Sequence, residues 1–110
     1  MNINIHEIHQ QAMFFYDQAI FDQRKGITQN VDSLYKQAFD LEQQAAMMSL
    51  KTPTATLDQA LLFRGAITLA IQIQEYRQAE CLICQVLLLD LNLGFQKEFR
   101  QIWLKIMDKL

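Results

Sequence analysis

The chain has 110 residues, enough for one domain with its own core, and 51% of them are hydrophobic, which excludes a disordered chain. One proline and three glycines leave few turning points, so long helices are favoured over many short strands. Ten basic against twelve acidic residues give a net charge of −2, which argues against a nucleic-acid binder that works through a broad positive face.

The amino-terminal stretch MNINIHEIHQ has no basic segment followed by an apolar core, so a secretory signal is not expected. No segment is long and apolar enough to read as a membrane span. The expectation is a cytoplasmic protein whose two cysteines are reduced thiols.

The first helix is expected from about Asn4 to Lys25. Asn4 can cap it, with Glu7 three residues on in a loose capping box. Ile5, Ile8, Ala12, Phe15 and Ala19 fall on one stripe at spacings of three and four, and Phe14 and Phe21 widen the apolar face. Gly26 ends the helix, because glycine takes the left-handed conformation without a side-chain penalty.

The second helix is expected from near Thr28 to about Leu50, with the stripe Val31, Leu34, Ala38, Leu41, Ala45 and Met48 flanked by Tyr35. The adjacent Ala45 and Ala46 permit close approach of a neighbour. The third helix is expected over about Pro53–Gln74, with Pro53 in its first turn. It is apolar on more than one side, which marks it as central. Gly65 inside it costs roughly 1 kcal/mol relative to alanine, and close helix–helix contact is the expected offset. A fourth helix follows the turn at Glu75–Arg77 and is expected to reach about Leu91. A fifth runs from about Phe95 to the end, with Phe95, Phe99, Ile102, Trp103, Ile106 and Leu110 on one stripe, as in a closing helix. No segment alternates apolar and polar residues, so no strand is assigned.

Two stretches read alike. Ala19–Ala38 and Ile67–Val86 each comprise a helix end, a tight turn and a helix start. Val31, Tyr35 and Ala38 in the first match Ala79, Ile83 and Val86 in the second, 48 residues on (79 minus 31). Gln74 stands where a turn glycine is common. With the turn at Gly26 and the Tyr35/Ala38 pair, the chain resembles a tetratricopeptide-type domain, whose repeat is about 34 residues of helix–turn–helix. Pro53-Thr54, Arg64-Gly65-Ala66 and Tyr76-Arg77-Gln78-Ala79-Glu80 are similar to a segment of small uncharacterised bacterial proteins of that fold. The resemblance implies an all-α stack in one domain over residues 1–110: a hairpin over about 4–50, a second over about 53–91, and a cap over about 95–110. It further implies a protein-binding or scaffold role without catalysis.

Candidate chemistry is sparse. Cys81 and Cys84 form a CxxC inside an apolar helix between Ala79 and Val86. A zinc site needs two more ligands, and no second pair exists, so core packing is expected and no metal or cofactor is assigned. His6 and His9 lack the HExxH spacing of zinc proteases and are expected to face solvent. Asp40 with Glu42, and Glu75 with Glu80, read as solvated helix charges. Ser33 and Ser49, the only serines, sit in no strand-to-helix elbow. A helical nuclease is disfavoured because the Arg-x4-His arrangement is missing: Lys105 follows Arg100 at that spacing, and Leu69 follows Arg64.

Arg64 interrupts an apolar run, where a charge must reach water or a partner. It is expected either at an exposed edge, paired with Asp58 or another acid, or on a binding groove. In the tetratricopeptide register the first helices of the two hairpins present Met13, Tyr16, Ile20, Gln23 and Arg24, then Leu61, Arg64, Thr68, Ile71 and Gln72. The candidate partner-binding residues are Tyr16, Ile20, Gln23, Arg24, Arg64, Thr68 and Gln72, a strip suited to a peptide carrying a carboxylate. The leading expectation is a non-catalytic interaction or adaptor module with a protein or peptide partner, and with no nucleic acid or membrane. The alternative is a homodimer that buries apolar faces, including Val86 to Leu89. A small helical nuclease or metal hydrolase comes third.

Overall fold

In the computed structural model, which describes residues 4–110, five α-helices and a terminal 3-10 turn follow in chain order, with no strand among the described residues. The expectation of no secretory signal rests partly on Met1, Asn2 and Ile3, which lie outside the described residues. Helix α1 spans Ile5–Arg24, α2 Val31–Ser49, α3 Thr56–Gln72, α4 Tyr76–Val86 and α5 Leu93–Ile106. No helix among the described residues is long and apolar enough to cross a membrane.

Side chains set the starts. Asn4 Oδ1 accepts from the His6 N–H at 2.8 Å to open α1, and Asn92 Oδ1 accepts from the Phe95 N–H at 2.9 Å to open α5. Each satisfies an amide that the helix leaves unpaired, a contribution of about 1 kcal/mol.

The first and third helices end the same way. After α1, Gly26 has φ 75° and donates to the Gln23 carbonyl, while Ile27 donates to Asp22. After α3, Gln74 has φ 63° and donates to Ile71, while Glu75 donates to Ala70. Both are Schellman turns. The second holds a side-chain-bearing residue where the first has glycine, so it carries backbone strain.

Consecutive helices pack on one another, α1 on α2 through to α4 on α5. The principal extents are 42 × 41 × 20 Å, and the short dimension is about two helix diameters, so the helices form two layers. Phe39, Phe63, Phe99, Ile67, Leu82, Ile83 and Val86 are fully buried in one continuous core. Helix α3 is central: Ala60, Leu62, Phe63, Ala66, Ile67, Leu69 and Ala70 are all buried. Gln59 on α3 donates to the Ser49 carbonyl at 2.9 Å and ties α3 to the end of α2.

Several expectations are corrected. Phe14 and Phe21 are 64% and 56% exposed: the face they would widen is already filled by Ile8, Ala12 and Ala19, and they point off it. Pro53 lies outside α3, which starts at Thr56. The Thr54 hydroxyl donates to the Thr52 carbonyl at 3.1 Å, and Ala55 is extended, so the chain around Pro53 is a turn. Helix α4 stops at Val86 rather than near Leu91, because the Leu88 and Leu89 amides bond only three residues back. Cys81 and Cys84 are exposed, not core. Ala79, Leu82, Ile83 and Val86 form the buried stripe of α4, and each cysteine sits about 100° off it, beside core residues in sequence but not in space.

A trough between the first and third helices

Helices α1 and α3 both lean on α2 but leave a gap above it. Two hollows fill the gap. The first, about 590 Å³, lies between the start of α1 and the turn leading into α3. Ile5, His6 and His9 line one wall and Asp58, Leu61 and Leu62 the other, with Met48 and Pro53 at the end. The second, about 300 Å³, lies further along, between Met13 and Tyr16 on α1 and Arg64, Thr68 and Leu69 on α3. His9 and Leu61 line both hollows, so the two lie end to end along one trough. From Ile5 to Tyr16 it follows α1 for about 16 Å, at 1.5 Å per residue.

The trough's floor is a carboxylate. Glu42, on α2, is 1% exposed. His9 Nδ1 lies 2.8 Å from one of its oxygens and 3.0 Å from the other. From the other side Gly65 presses on it: a Cβ at that glycine would sit 2.6 Å from Glu42 Oε2. Gly65 is thus the close approach expected of it, made to a side chain rather than to a backbone. Burial pushes the Glu42 carboxyl above its ordinary range, and the His9 bond and charge pull it partly back.

This overturns two readings. Glu42 is not a solvated charge, although Asp40, two residues away, is one and pairs with Lys36 at 2.7 Å. His9 does not simply face solvent as His6 does; its ring is tied to α2. A signal for Glu42 was available. Tyr35, Glu42 and Ser49 are spaced by seven, as are Ala38 and Ala45, and all five are buried. The period placed Glu42 inside, while its charge argued for outside.

The structure brings together three of the seven candidate residues, Tyr16, Arg64 and Thr68, all in the second hollow. Ile20 and Arg24 line a separate hollow with Phe21 and Lys25. Gln72 lines another with Asp32 and Lys36. Gln23 accepts the Tyr35 hydroxyl at 3.1 Å and so ties α1 to α2. The two arginines therefore do not line one groove. Arg64 is also engaged: its Nη1 lies 3.4 Å from Glu98 on α5, and its guanidinium sits 6.0 Å over the Phe95 ring. An acid does pair with Arg64, and it is Glu98 rather than Asp58. Thr68 donates to the Arg64 carbonyl at 2.8 Å.

Among the described residues no group of three or more His, Cys, Asp or Glu is placed to hold a metal ion. No protein-family model, curated protein or solved structure matches the chain.

Proposed function

We propose that this protein is a non-catalytic protein-interaction module of tetratricopeptide-like build, and that it holds a segment of a partner in the trough between α1 and α3. The observation that carries the reading is the adjacency of the two hollows at His9 and Leu61, with largely apolar lining surface. The repeat-like build is supported by the matched Schellman turns. It is supported too by the burial of all six register residues, Val31, Tyr35, Ala38, Ala79, Ile83 and Val86. In such a stack the first helices of successive hairpins face one groove, and here α1 and α3 are those helices.

The test is site-specific photo-crosslinking in native lysate. A photoreactive residue at Leu61, which is 40% exposed, gives a discrete adduct that Met13→Asp suppresses. The same residue at the exposed Gln44 gives none. Equal labelling from both positions, or none from Leu61, refutes the trough.

A homodimer is the second reading, favoured by the 87% exposure of Leu88 and by Leu93 and Leu104 at 64% and 61%. Sedimentation equilibrium separates the two. The interaction-module reading expects the 12.9 kDa monomer, whereas twice that mass, reverting with Leu88→Ser, favours the dimer.

A further inference from the structure

Ion pairing divides the trough unequally. Its one Lys or Arg side chain, Arg64, is turned to Glu98. Two acids remain: Glu42 at the floor, whose hydrogen bonds among the described residues come from His9 alone, and Asp58 on the wall, which forms no ion pair among them. A carboxylate-bearing partner would meet like charge here, and a cationic one would not.

His9 sets the point of contact. With Glu42 ionised, its oxygens only accept hydrogen bonds, so the Nδ1 facing it carries the proton. With the ring uncharged in that arrangement, its lone pair lies at Nε2, the edge turned from Glu42. His9 and Asp58 line the same hollow. To either side of His9 the walls carry apolar side chains among polar ones: Ile5, Met48 and Leu62 one way, Met13 and Leu69 the other. A single lone pair beside a carboxylate suits the compact ammonium of lysine better than the planar fork of arginine.

We infer that the trough selects a partner segment with a lysine between two apolar side chains, the ammonium donating to His9 Nε2 beside Asp58 while the apolar groups enter the two hollows. Glu42 is the positioning residue that fixes the ring. This rests on the trough being the binding face.

The test uses the full chain and a fluorescent designed amphipathic helix of about fourteen residues, with leucines one turn either side of a central lysine. A second peptide has norleucine in place of that lysine. The lysine peptide is expected to bind about tenfold tighter, the effect of one charge-assisted hydrogen bond. Asp58→Asn or His9→Gln should erase most of that preference by weakening the lysine peptide more than the norleucine peptide. His9→Gln keeps a donor for Glu42, and Asp58 is exposed, so neither change should unfold the chain. Asp40→Asn, outside the trough, should leave the preference intact. If the two peptides bind equally and Leu61→Asp abolishes both, the trough stands and the lysine inference falls. If Asp40→Asn erases the preference as well, net charge explains it and the inference falls. If neither peptide binds, or Leu61→Asp changes nothing, the inference falls together with the trough.

Discussion

The two hairpins start alike and finish differently. Through the turn and the first half of the second helix they keep one register, from Gly26 and Gln74 to Ala38 and Val86. Then α4 stops after 11 residues, while α2 runs for 19. The overshoot carries Glu42, Ala45, Ala46 and Ser49, all buried, and this part of α2 reaches α3. The position matching Glu42 in the second hairpin is Asp90 (42 plus 48), beyond the end of α4 and exposed. The same kind of residue at the same register is thus buried in one hairpin and solvated in the other. Helix length decides which, and with it whether a trough floor exists.

The sharpest way to break this comparison is at Phe39 and its counterpart Leu87. Phe39 is fully buried in the overshooting helix, and Phe39→Ala should cost about 3–5 kcal/mol in urea unfolding. Leu87 is half-buried past the end of α4, and Leu87→Ala should cost only about 1 kcal/mol. Equal losses would mean that the two helix ends are not different environments.

Next in size is the contact between Gly65 and Glu42. Gly65→Ala pushes a methyl into the carboxylate and should destabilise by about 1–3 kcal/mol. In a Glu42→Ala background the clash is gone, and the same change should stabilise by up to about 1 kcal/mol through alanine's helix preference. A double-mutant cycle that closes to zero would remove Glu42 from this contact.

The pH dependence follows from the same carboxylate. Its folded-state pKa is raised above the ordinary 4.5, so between the two values the folded chain holds a proton that the unfolded chain has released. Stability contributed by this group is therefore full below 4.5 and declines as pH rises through the raised value. Relative to Glu42→Gln, the wild type should lose stability over that window. Parallel profiles for the two proteins would show that Glu42 titrates as it does unfolded.

The turns should respond in opposite directions. Gly26→Ala places a Cβ at φ 75° and should cost about 1 kcal/mol, whereas Gln74→Gly removes one at φ 63° and should gain about the same. The smallest effect is expected at the cysteines. Cys81→Ser with Cys84→Ser should shift stability by less than about 0.5 kcal/mol, and both thiols of the folded wild type should react promptly with a thiol reagent. Reaction only on unfolding would return them to the core.

Much of the fold was legible because it rests on local rules. Asn4 and Gly26 mark helix ends through hydrogen bonds made within a few residues, and the stripe from Val31 to Ala45 follows from the helical period. The 48-residue register was legible for the same reason. What failed were judgements that weigh a residue's type against its place. Cysteine is usually buried, yet Cys81 and Cys84 fall off the stripe. Glutamate is usually solvated, yet Glu42 falls on it. Of the candidate site, Tyr16, Arg64 and Thr68 came from the register. The partners they meet there, His9 and Glu42, come from helices far apart in sequence.

By itself, then, the sequence determined the helices, their order, the paired turns and the apolar centre on α3, since each depends on periodicity and capping that act over a few residues. Only the tertiary structure decided that α1 and α3 stand apart, that Arg64 turns to Glu98, and that a glutamate, a histidine and a glycine from three helices close the floor between them. The physical reason is that a buried charge takes its meaning from what surrounds it, and here those surroundings are supplied by His9, 33 residues before Glu42, and Gly65, 23 residues after it (42 minus 9; 65 minus 42).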